Sequence, residues 1–364
     1  MIVYYMNLIL TTILNSASRL LHRRKLEKSK CWEEKISFIL CALAIATAVF
    51  VAGLRYGVGT DFFNYQDRFN HYLKYPNINI QRSNVGFGIL IKFIQLFTDN
   101  PQWLFIATAI IIYTFIMLYI RENTKLYDIG FYLFICLYFY CSSLNIMRQW
   151  ISIAIFLYAL KYAYQKKLIK YIIAIVIAAS FHITSLLMLP VYLLFRLKLN
   201  KRNVIILISI LLALIIVFYT AGIPIAEWLN VPEKYMEYIR FNTTLDGGGR
   251  AYTVFILLTI IGIAINYKTY LKQNQYGEQH IKMLIISLII SALSANSMIF
   301  NRIQLYFVPV LIVCIPNLIQ ICQNKKTKVF FTALIIGLGA LYFYRCLCNN
   351  GGEVLPYISI FDVK

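Results

Sequence analysis

Apolar runs about as long as a bilayer is thick recur from one end of this chain to the other. They fall near 2–20, 36–54, 102–120, 127–141, 149–164, 203–222, 251–268, 281–298, 303–321 and 328–345. Roughly 20 apolar residues in a helix cross the hydrocarbon core. A chain of 364 residues that is 60% hydrophobic, with a mean hydropathy of +0.68, cannot hide that surface in a water-soluble core. The pattern predicts an all-α, polytopic integral membrane protein. It forms a single transmembrane domain over 1–364, because no stretch between the runs is long enough for a soluble domain.

Charge sets the expected topology. The formal net charge is +20, which would suit a nucleic-acid binder. Here, however, the Lys and Arg residues lie between apolar runs, where they orient the helices and meet anionic head groups, so no nucleic acid is expected. The connection 19–35 carries Arg19, Arg23, Arg24, Lys25, Lys28, Lys30 and Lys35 and reads as cytoplasmic. Counting from there, the basic patches at 121–125, 161–170, 196–202, 268–282 and 324–328 fall on the same side. The count gives about twelve crossings with both termini outside. Basic residues flank both ends of 170–196. If both flanks are cytoplasmic, that segment enters and returns as two short helices turning near His182. The stretch 84–98, broken by Gly86, Gly88 and Lys92, reads as interfacial. The N-terminal run lacks a basic leader and a small-residue cleavage site, so it reads as a retained helix.

The loops then expected outside, chiefly 55–101 and 223–250, are rich in arginine. They hold Arg55, Arg68, Arg82, Arg148, Arg240, Arg250, Arg302 and Arg345. Arginine at a membrane interface is costly without an anion, and its guanidinium forks onto phosphate with two parallel hydrogen bonds. Arg55, Arg148 and Arg302 each stand at the outer end of a run, so together they suit a diphosphate. The alternative for each is solitary snorkelling to lipid phosphates. Asp61 follows Gly57 and Gly59. It either caps a helix through Phe62, Tyr65, Phe69 and Tyr72, an aromatic face suited to the membrane interface, or serves as a general base or a partner of Arg55. His182, in "ASFHITSLLMLP", is a hydrogen-bonded core group or a base and diphosphate ligand at the tip of a hairpin, with Thr184 and Ser185 able to cap the second short helix. Tyr65 is among several tyrosines able to stack on a sugar, although most read as interfacial belt residues.

Several chemistries find no support. The eight cysteines lack metal spacing, no outer Asp-x-Asp pair is present, and "LDGGGR" at 245–250 lacks the Lys-Ser/Thr of a phosphate loop. No metal or other cofactor is expected.

Five segments together resemble the EpsG-like family of Wzy-type exopolysaccharide and O-antigen polymerases. They are "LRYGVGTDFFNY" at 54–65, "NIMRQWISIAIFLYAL" at 145–160, "SFHITSLLMLPVYL" at 180–193, "NRIQLYFVPVLI" at 301–312 and "LPYISIF" at 355–361. The segments keep the family's order over most of the chain. The resemblance picks out Arg55, Gly59, Asp61, Arg148, Gln149, His182 and Arg302. It implies a glycosyltransferase in the bacterial inner membrane, with its site facing the periplasm or exterior. A growing glycan on undecaprenyl diphosphate would pass to the non-reducing end of a new lipid-linked repeat unit. Asp61 or His182 would act as base, Arg55, Arg148 and Arg302 would hold the diphosphate, and Gln149 and Tyr65 would contact substrate. The implied partners are the lipid-linked oligosaccharide, the bilayer and a chain-length regulator. Two rivals remain. A flippase would need a midplane polar route and repeat symmetry, neither of which is visible. An outer-face ligase or acyltransferase would use the same kind of cavity.

Overall fold

The computed structural model describes residues 1–28, 31–75, 84–203, 248–294 and 298–362, with positions 205, 206, 208, 209, 213, 216 and 217. Regular structure among them is helical, apart from one isolated antiparallel bridge between Arg55 and Ser359. Packing divides the chain into two compact units, Met1–Leu189 with Cys322–Lys364, and Pro190–Ile321.

The first unit contains α1 (Ile2–Lys28), α2 (Cys31–Gly53), α3 (Phe62–Lys74), α4 (Val85–Gln95), α5 (Gln102–Asn123), α6 (Tyr127–Cys136), α7 (Phe139–Asn145), α8 (Met147–Tyr164), α9 (Leu168–Phe181) and the last helix, Lys325–Asn349. α1 runs along α2, α2 packs on α5, α5 on α8 and α8 on α9, with α6 against α1. α8 is buried nearly all round, as a helix surrounded by other helices must be. α1 divides its surface differently. Asn7, Thr11, Asn15 and Ser18 form one fully buried stripe, while Ile9, Leu10, Ile13 and Leu20 are exposed. Small polar side chains let membrane helices approach and hydrogen-bond. Here the Ser18 hydroxyl lies 2.9 Å from the Tyr127 hydroxyl, and Arg19 Nε lies 2.8 Å from the Asp128 carboxylate. Rows of exposed apolar residues on α2 (Phe38, Leu43, Phe50) and on the last helix (Val329, Phe330, Leu341) suit lipid rather than water. The apolar helices mark a membrane protein.

The number of crossings differs from the charge-based expectation. Among the described residues four helical stretches are long and apolar enough to span: Trp32–Gly53, Gln102–Asn123, Ile299–Ile321 and Lys325–Asn349. Two bent pairs raise this to six, so the expected twelve are not reached. The polar stripe dilutes the hydropathy of α1. The run 127–141 breaks at Tyr138, whose φ of 68° is left-handed, and α7 leaves α6 at 55°. Residues 142–148, between the expected runs 127–141 and 149–164, are helical except at Ile146, so Arg148 is the second residue of α8. The run 203–222 falls largely outside the described residues. The segment 170–196 does break at His182: α9 ends at Phe181, His182 is extended, and a 3₁₀ turn follows over Ile183–Met188.

The second unit holds helices Val191–Leu194, Gly248–Ile265, Tyr267–Gln273, Gly277–Ser294, Met298–Phe307 and Leu311–Ile321. The Tyr252–Ile265 and Tyr267–Gln273 pieces meet at 92°.

α4 is as short as its glycines and Lys92 suggested, and it lies close against α9. A Cβ at Gly86 would collide with the Ser180 hydroxyl and come within 3.1 Å of its backbone. Gly86→Val should therefore lower the melting temperature of the detergent-solubilised protein, with an overpacking cost of roughly 1–3 kcal/mol. Gly337→Ala, where nothing lies within 4 Å of the added methyl, should be neutral or slightly stabilising. Scanning fluorimetry reads both.

Candidate functional site

The chain turns from α2 into α3 through a tight loop, with Gly57 and Gly59 at φ 62° and 99°. Gly59 is needed twice over, since a Cβ there would also meet Asn145 Oδ1 at 2.6 Å. Arg55 fills the inside of this loop and is only 1% exposed. Its guanidinium donates to the carbonyls of Ala52, of Val58 at 3.2 Å and of Leu144 at 2.8 Å, and touches Met147 Sδ at 3.3 Å. The Phe105 ring lies 4.9 Å away and the Phe62 ring 5.9 Å. Burial lowers its pKa from the ordinary value, and carbonyls and ring faces replace the lost water. Among the described residues no carboxylate pairs with it. Arg55, expected to face an anion, lies at the core of this loop.

The C-terminal tail closes over the same loop. The Tyr56 amide donates to the Ile358 carbonyl and the Ile360 amide to the Leu54 carbonyl, each at 2.9 Å. The Gly59 amide donates to the Glu353 carbonyl at 2.9 Å and the Thr60 amide to the Gly352 carbonyl at 3.3 Å. Asn145 ties the pieces together: Nδ2 donates to the Gly352 carbonyl at 3.0 Å, and Oδ1 accepts from the Thr60 hydroxyl at 3.2 Å.

This frame presents α3. Phe62, Tyr65, Phe69 and Tyr72 share one face of α3, as the spacing predicted, but that face is buried against protein where the sequence suggested the membrane interface. Asp61 occupies the N-cap position without a side-chain cap bond. Among the described residues its half-buried carboxylate has no hydrogen bond or ion pair. Arg148 lies over the Tyr65 ring one turn on, with Cζ 6.0 Å from the ring centroid. Burial raises the Tyr65 pKa, and Arg148 pulls it partway back through charge and hydrogen bonding. Arg148 Nε is buried with no hydrogen-bond partner among the described residues. Gln149, next along α8, is buried.

His182 sits at the end of α9, its Nδ1 2.7 Å from the Thr184 hydroxyl. The Ser185 amide and hydroxyl both bond to the His182 carbonyl at 3.1 Å, closing the turn. α4 links this turn to α3: Gly86 abuts Ser180, and the Phe87 and Tyr65 rings are 5.6 Å apart. Arg302 lies half-buried on Met298–Phe307 in the second unit, near the fully buried Gln304. Arg82, Tyr238 and Arg240 lie outside the described residues, as does most of 223–250. Among the described residues no group of three His, Cys, Asp or Glu side chains is arranged to hold a metal ion.

Sequence reasoning missed Asn145, although it opens the segment that carries Arg148. It named Arg68, one turn beyond Tyr65 on α3, among the outer arginines but gave it no role.

Two structural roles can be separated from binding. Arg55→Met strands at least three buried carbonyls and should destabilise the protein by roughly 2–4 kcal/mol. Arg148→Ala should leave the melting temperature nearly unchanged. Removal of residues 350–364 should expose the 54–60 loop to proteolysis while leaving the helical circular-dichroism signal largely intact.

A model of the EpsG family matches residues 38–359. No curated protein and no solved structure gives a significant match. Matched over nearly its whole length, the chain belongs to the EpsG family, a Wzy-like polymerase family.

Proposed function

We propose that this protein is a glycan polymerase of the inner membrane. It transfers a growing undecaprenyl-diphosphate-linked polysaccharide onto the non-reducing end of a new lipid-linked repeat unit. Family membership supports polysaccharide-polymerase-type glycosyl transfer. The observation that carries the reading further is the grouping on α3 and α8. A carboxylate without a partner among the described residues, Asp61, precedes by one turn the Tyr65 ring that Arg148 covers.

The chemistry follows from those groups. A hydroxyl oxygen of the incoming repeat unit attacks the anomeric carbon of the growing chain. That carbon–oxygen bond forms as the bond to diphosphate breaks, with inversion. The electron pair leaves with undecaprenyl diphosphate, and the hydroxyl proton goes to Asp61 or His182. Arg148 neutralises the departing diphosphate, and the family resemblance alone assigns Arg302 a part in substrate binding. Arg55 holds the loop that presents Asp61, the Tyr65 ring supports Arg148, and Gln149 contacts substrate. The site opens to the outer face, where lipid-linked repeat units arrive with their anchors still in the bilayer.

Purified protein given one lipid-linked repeat unit should yield a ladder of lengths. Transfer only to a different acceptor would mark a ligase. Arg148→Ala and Arg302→Ala should each slow extension about 100- to 1,000-fold at unchanged melting temperature. Long products from both variants would refute the assignment. Asp61→Asn and His182→Ala decide the base: the true one loses about 100-fold or more, and the other stays near wild type.

A further inference from the structure

Asp61, Tyr65, Arg68 and Tyr72 are spaced i, i+4, i+7 and i+11, so they form one stripe on α3. Tyr65 and Tyr72 are buried, and Arg68 between them is half-buried. Cations from two other helices meet this stripe. Arg148 of α8 lies 6.0 Å from the Tyr65 ring, and Lys92 of α4 lies 5.9 Å from the Tyr72 ring. Arg68 is thus bracketed along its own helix face by two further positive charges, with Asp61 the stripe's own acid. Its pKa is lowered, first by burial and then by repulsion from Arg148. Two guanidiniums brought together in partly dry surroundings repel, and an anion with several oxygens placed between them turns that repulsion into attraction. Arg148 Nε, buried with no hydrogen-bond partner among the described residues, offers an N–H donor to such an anion. It also belongs to the first turn of α8, where helix polarity favours negative charge.

We propose that Arg68 and Arg148 form a two-guanidinium fork over Tyr65 that grips a single diphosphate group, which makes Arg68 a substrate-binding residue. The identity of that diphosphate as a lipid carrier's rests on the polymerase reading. The fork itself rests on the stripe. Lys92 extends it toward the second phosphate.

Isothermal titration of the purified full-length protein with inorganic diphosphate tests the fork directly. The wild type should bind, and Arg68→Gln should weaken binding about tenfold to a hundredfold, as for loss of a charged hydrogen bond. Arg68→Lys keeps the charge but loses the forked geometry, and should also weaken binding at an unchanged melting temperature. Wild-type affinity in both variants, or no diphosphate binding by the wild type, would overturn the proposal. The same titration in nanodiscs separates the two sources of phosphate. If phosphatidylglycerol displaces diphosphate while phosphatidylcholine does not, bilayer head groups are the ligand and the proposal is overturned. The glycan assay separates this proposal from the polymerase reading. Arg68-dependent diphosphate binding in a protein that builds no ladder would sink the polymerase and keep the fork. A normal ladder with unaltered binding in Arg68→Gln would sink the fork alone.

Discussion

The architecture of the first unit turns on a buried positive charge. Arg55 has almost no contact with solvent, yet no carboxylate among the described residues answers it. A guanidinium in such a place must be solvated by the protein itself, or the structure will not hold it. Carbonyls from Ala52, Val58 and Leu144 do so, together with the faces of Phe62 and Phe105, which stack 4.4 Å apart. Those groups belong to the end of α2, the following loop, α3, α5 and α7. One side chain therefore fixes where five segments meet.

A second layer of polar bonds sits over that centre. The tail after the last helix lends its carbonyls and amides to the 54–60 loop, and Asn145 bonds to both. Gln102 closes the other side by donating to the carbonyls of Gly53 and Arg55. The loop is irregular, and Arg55, Val58 and Gly59 within it are buried in protein. Each buried backbone group must find a partner within the protein. The far C-terminus supplies several, and the family match extends past the last helix to residue 359.

The chemistry suggested by α3 and α8 depends on what the frame keeps apart. Arg148 is held on the Tyr65 ring, and Asp61 is left without an ion pair among the described residues. Had the two closed on each other, the carboxylate would be a weaker base and the guanidinium a saturated donor. An aromatic ring supports the arginine instead, and the carboxylate stays without an ion pair among the described residues. Arg68, on the same stripe, adds positive charge without adding a neutralising acid.

Much of this was legible in the sequence. Apolar run length specified helices in a bilayer, since no other backbone arrangement of that composition satisfies its hydrogen bonds there. The spacing of Phe62, Tyr65, Phe69 and Tyr72 specified one shared face of α3, though not its burial, and flanking charge specified the break at His182. Glycines before Asp61 marked the turn. The crossing count was not legible, because polar residues on α1 and the kink at Tyr138 respond to neighbouring helices that hydropathy does not see. Nor were the contrasting fates of Arg55 and Arg148, two arginines that look alike at the ends of apolar runs. Only tertiary packing decided them: it surrounded Arg55 with carbonyls and rings that consume its donors, and left Arg148 at a helix start with a buried N–H still unmet among the described residues. A side chain's role here is set by which distant backbone oxygens come within about 3 Å of it, and that distance is a property of the fold.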